Sequence, residues 1–82
     1  MAYIRPKKLS GRTIEVVASL ICNYGDTDKT KEELFIEPST IKTHLGHVQN
    51  LTGLSSRLEI AAYFLKAGYI TLEQFTKNCN KL

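Results

Sequence analysis

The sequence predicts an all-α domain of four helices with a short fifth helix at its C-terminal end. Three observations carry this prediction. Apolar residues recur at spacings of three and four, and a capping residue stands ahead of most such stretches. No segment has the alternation of a half-buried strand; Tyr69-Ile70-Thr71 could run extended, but three residues do not make a sheet.

The first helix is expected over residues 11–23, with Ser10 as its N-cap. Ile14, Val17, Leu20, Ile21 and Tyr24 fall on one face, and Tyr24-Gly25 ends it. Gly25-Asp26-Thr27-Asp28 is turn chemistry, with several side chains able to cap whatever follows. A second helix is expected over residues 29–35, with Thr30-Lys31-Glu32-Glu33 as a capping box. Its core residues are Leu34 and Phe35, joined by Ile36 in the turn.

Pro38 suits the first position of a third helix, where its missing N–H is no loss. Ile41, Leu45 and Val48 mark a buried stripe that Leu51 or Thr52 extends, and Gly53 stops the helix. Ser56-Arg57-Leu58-Glu59 is a capping box for the fourth helix, whose inner face is Ile60, Ala61, Phe64 and Leu65. Ala67-Gly68 closes it. Thr71-Leu72-Glu73-Gln74 then caps the fifth helix, with Leu72, Phe75 and Cys79 as its apolar residues.

Eighty-two residues make one domain at most. No apolar run approaches the roughly 18 residues of a membrane span, and the first residues lack the apolar core of a signal peptide. A cytoplasmic protein that contacts no membrane is the expectation. The net charge of +3 leans toward an anionic partner. Arg5, Lys7, Lys8 and Arg12 cluster at the start, whereas Asp26, Asp28, Glu32, Glu33 and Glu37 concentrate in the middle. The chain therefore reads as a basic arm (residues 1–8), a domain (9–70) and a C-terminal extension (71–82).

Cys22 and Cys79 form no CxxC or Cys/His ligand spacing, and Cys22 reads as a small buried hydrophobe. His44 and His47, three apart on one helix, could clip a metal, but two ligands are too few for a structural site. No nucleophile, phosphate loop or carboxylate pair accompanies them. The expectation is a non-enzyme without cofactor or metal.

The stretch Phe35-Ile36-Glu37-Pro38-Ser39-Thr40-Ile41-Lys42-Thr43-His44-Leu45 resembles the core of LuxR/GerE-type helix-turn-helix domains, which read L-x-I-S-x-x-T-V-K-x-H. The similarity continues through Gly53-Leu54-Ser55-Ser56-Arg57 and Ala61 to Gly68-Tyr69-Ile70. Upstream, Leu9-Ser10 with Arg12, Glu15 and Val16 resembles the opening L-T-x-R-E-x-E-V. The resemblance implies a four-helix bundle of that type and a transcriptional regulator that binds duplex DNA. Its recognition helix, residues 38–52, would lie in the major groove.

By the same resemblance Lys42, Thr43 and Gly46 face the bases, while Thr40, His47 and Asn50 flank the backbone. Ser39 and Lys29 are counted with them as DNA-binding residues, and His44 as a packing or hydrogen-bonding residue. The fourth helix is expected to pair with a second copy on DNA as a weak homodimer, with Leu58, Ala62 and Tyr63 at the interface. The setting would be the cytoplasm, at the nucleoid.

Gly46 departs from the family, where a long or polar side chain is usual. Thr30-Lys31 stands in place of an Ile-Ala pair, and Leu51-Thr52 inverts the usual Lys-Leu order. No receiver or ligand-binding domain of the kind usually joined to this unit is read in the chain, which fits a free-standing regulator or one piece of a longer protein. A second class of function stays open: a helix-turn-helix fold used for protein contact, as an antiactivator or adaptor of a regulator or RNA polymerase.

Overall fold

Side-chain caps and apolar spacing define five helices in the computed structural model, which describes residues 9–77. In chain order they are α1 (Gly11–Cys22), α2 (Thr27–Leu34), α3 (Pro38–Thr52), α4 (Arg57–Ala67) and α5 (Leu72–Thr76). No strand occurs among the described residues, and none of the described helices is long and apolar enough to cross a membrane. The all-α reading holds. The basic arm at residues 1–8 and Cys79 lie outside the described residues.

α1 starts where Ser10 Oγ accepts the Thr13 N–H at 3.1 Å, and it is the hub of the fold. Helices α2, α3, α4 and α5 all pack on it. Its Val16 and Leu20 meet Ile41 of α3, with Leu34, Ile36 and Leu45 around them. Val17 and Ile21 on the adjoining face join Val48, Ile60, Ala61 and Phe64, closed by Leu9 and Ile70. Phe64 is fully buried. Truncating such a side chain costs about 3–5 kcal/mol, a large part of what stabilises a small domain.

Four apolar positions differ from expectation; one is Tyr24, which lies beyond α1 at φ 54° and is 51% exposed. Phe35 is not core: it is 91% exposed. It caps α2 in the left-handed region at φ 56°, with its N–H donating to the Lys31 carbonyl at 2.8 Å. That reversal lets Leu34 and Ile36 pack against the core on either side of it, leaving the ring between them in solvent. Leu72 is likewise 67% exposed. Phe75 takes the inner place on α5, edge-on to Tyr24, and one turn of helix offers little room for a second. Cys22 is half-buried rather than buried. Burial pushes its thiol above the ordinary value, with Lys77 opposing and Glu33 adding to the rise.

The start of α2 also moves. Asp26, not Thr30, is its N-cap, accepting the Lys29 N–H at 3.1 Å. The Thr30-to-Glu33 capping box does not form, because Thr30 lies inside the helix and is fully buried. α4 and α5 begin at the boxes expected for them, Ser56 with Glu59 and Thr71 with Gln74.

Candidate nucleic-acid interface

Leu34 ends α2, three residues turn the chain, and Pro38 begins α3. This is a helix, a tight turn and a second helix, held against α1 by the apolar cluster just described. Along α3, Ile41 and Val48 are buried and Leu45 half-buried, which fixes the inner stripe. The opposite stripe follows from helical spacing: Ser39, Lys42, Thr43, Gly46, His47 and Asn50 succeed one another at steps of three residues or one. All but Gly46 are exposed, Gly46 is half-exposed, and Thr40 is exposed at the flank. Seven of the sequence-predicted site residues thus share one helix and its outer side.

Thr43 Oγ1 donates to the Ser39 carbonyl at 2.9 Å. Its hydroxyl proton is engaged within the helix, so toward a partner it offers lone pairs and a methyl. Lys42 is the one lysine of the stripe. Glu37, the N-cap residue of α3, makes no side-chain cap bond. It puts an exposed carboxylate at the helix end, which otherwise suits phosphate. This opposing charge is a feature that motif reading passed over.

Lys29 sits elsewhere. It lines a polar depression with Asn23, Glu32 and Glu33. Its surroundings are therefore acidic side chains of its own helix. On α4, Leu58 is 78% exposed. Ala62, four residues on, is exposed too. Tyr63 is half-buried and meets the rings of Phe64 and Tyr69 edge-on, with centroids 6.1 Å away in both cases.

His44 positions the outer stripe. Its Nδ1 lies 2.9 Å from Thr13 Oγ1, and Ser10 Oγ donates to that same oxygen at 2.9 Å. Ser10, Thr13 and His44 thus form one hydrogen-bonded chain, in which the imidazole tautomer sets whether Thr13 Oγ1 or Nδ1 donates. The N-terminal turn of α1 is thereby tied to the middle of α3.

A second polar device sets α2. Asn23 is only 8% exposed. Its Nδ2 is shared among Thr30 Oγ1 at 3.3 Å, Ser19 Oγ at 3.4 Å and Glu33 Oε1 at 3.4 Å. Ser19 donates to the same Glu33 carboxylate, and Thr30 to the Asp26 carbonyl at 3.1 Å. Where the resembled family packs Ile-Ala, this chain hydrogen-bonds. No sequence pattern announces it, because Asn23 reads as a helix end and Thr30 as a cap.

The fold and this stripe define a small all-α domain with a helix-turn-helix arrangement. The chain is similar to the oxygen regulatory protein NreC of Staphylococcus aureus, strains JH9, JH1 and Mu3 / ATCC 700698: 33% identical over 60 residues in each. The match covers 73% of this chain and 27% of the relative. The chain thus spans about a quarter of the length of the curated relatives it matches. No family model matches the sequence. No solved structure matches it.

Proposed function

We propose that this chain is the DNA-binding unit of a LuxR/GerE-type transcriptional regulator that acts on duplex DNA in the bacterial cytoplasm, at the nucleoid. Residues 9–70 form the unit, with residues 71–82 as an extension. The observation that carries this is the outer stripe of α3: polar positions broken only by Gly46, presented outward by the inward-facing Ile41, Leu45 and Val48. A major groove admits one helix and displays a full donor and acceptor code. Lys42 donates to guanine or to phosphate, Thr43 accepts or covers a thymine methyl, and Gly46 lets the backbone approach. Ser39, Thr40, His47 and Asn50 flank the strands, and Lys29 and the basic arm at 1–8 add charge.

The test is selection from random duplex DNA, followed by affinity titration at several salt concentrations. Lys42→Ala is expected to weaken binding about 5- to 150-fold, as one base contact of 1–3 kcal/mol does, without a change in thermal melt. If Lys42 meets phosphate instead, the log–log salt slope falls by about 0.9. Equal affinity and equal slope in variant and parent would remove Lys42 from the interface. Binding of no duplex at low salt would overturn the reading and favour protein contact.

A further inference from the structure

An apolar groove opens between the end of α1, the middle of α3, the start of α4 and the end of α5. Its volume is about 190 Å³, and Leu20, Ile21, Leu45, Ile60, Ala61 and Phe75 wall it. Two features of its remaining lining, Gly25 and Arg57, belong together. Gly25 turns the chain at φ +84°. The Arg57 guanidinium lies against that turn, so close that a Cβ at position 25 would stand 3.0 Å from Nη1. The positive φ favours glycine at this turn, and any larger residue would also make the guanidinium shift by a few tenths of an ångström. Arg57 has no ion pair or hydrogen-bond partner among the described residues.

A lone cation beside an otherwise apolar groove has a definite complement. The guanidinium presents paired N–H donors that match a carboxylate, while the walls accept only hydrocarbon. Size narrows the choice further. A cavity of roughly 150 Å³ takes benzene, whereas drug-sized ligands occupy about 300 Å³ or more. We propose that this groove binds a small amphipathic carboxylate, an aryl or short alkyl acid. Its apolar body rests on the half-buried Leu45 and Phe75, and its carboxylate pairs with Arg57. Leu45 belongs to the inner stripe of α3, so the ligand touches the helix that carries the candidate interface.

The probe is 3-phenylpropionate, titrated at neutral pH into the ¹⁵N-labelled full chain, with 3-phenylpropanamide as its uncharged counterpart. The expected result is a saturating set of amide shifts confined to the groove, including those of Gly25, Leu45 and Arg57. The acid is expected to bind about fivefold more tightly than the amide, the scale of one exposed charge pair. Arg57→Gln, a surface change that leaves the fold intact, is expected to abolish that preference while keeping the weak apolar binding. Equal affinities for acid and amide in the parent chain would overturn the proposal, as would an unchanged preference in Arg57→Gln. Shifts that scatter over the surface or do not saturate would also overturn it. So would movement of the same signals on diluting the protein alone, which would mean that a second copy covers the groove.

Discussion

A methyl group at position 46 would touch nothing in the free protein, so packing does not require glycine there. Gly in a helix interior costs about 1 kcal/mol relative to Ala. Gly46→Ala is therefore expected to stabilise the domain by about that amount, raising the melting temperature roughly 4–8 °C. The proposed close approach of DNA at this point predicts an opposite effect on affinity. A melt and a binding titration on the same variant check both, and a gain in stability with unchanged affinity would make Gly46 a bystander. Phe35 carries the second residue-scale prediction. An aromatic residue held at φ 56° and 91% exposed costs strain and gains little burial. Phe35→Asn, suited to the left-handed region, is expected to add about 0.5–1 kcal/mol in a denaturant melt; a loss of stability would show that the ring packs in solution. Hydrophobicity alone could not have placed this residue. Apolar spacing marks Leu34, Phe35 and Ile36 alike, and only the backbone reversal between two inward neighbours decides which one is left outside.

Helices were legible in the sequence where a cap and an apolar stripe agree. Ser10, Ser56 and Thr71 cap where expected, and the Ile41, Leu45 and Val48 stripe turns inward as its spacing requires. α2 failed that test because its polar residues are its attachment. Thr30 and Asn23 are buried, and they hold the helix to α1 through a shared amide and the Glu33 carboxylate. Asn23→Ala should uncouple this arrangement. The expected loss is about 1–3 kcal/mol, since Thr30 Oγ1 and part of Glu33 lose their donor. Amide hydrogen exchange is expected to accelerate most in Thr27–Leu34, with α3 and α4 less affected. Uniform acceleration across all helices would mean that α2 does not open on its own.

At the scale of the whole molecule the dimer expected from the family resemblance can be weighed with numbers. The outward face of α4 offers Leu58 and Ala62, because Tyr63 is drawn toward Phe64 and Tyr69 within its own chain. Burying one leucine contributes about 1.5–3 kcal/mol, so a symmetric pair supplies roughly 3–6 kcal/mol. Association of two free molecules costs about 4–15 kcal/mol in lost freedom. At best the first sum exceeds the second by about 2 kcal/mol, short of even millimolar affinity, but DNA changes the second one. Two half-sites one helical turn apart already hold both copies in place, so most of that cost is met by binding and the leucine contact becomes cooperativity. The chain is therefore expected to sediment as a monomer when free and as two copies on a palindromic duplex. Leu58→Ser should reduce cooperativity on the palindrome and leave affinity for a single half-site unchanged. A one-to-one complex on a two-half-site duplex at saturating protein would rule the dimer out. Equal cooperativity in Leu58→Ser and parent would instead move the contact off this face of α4.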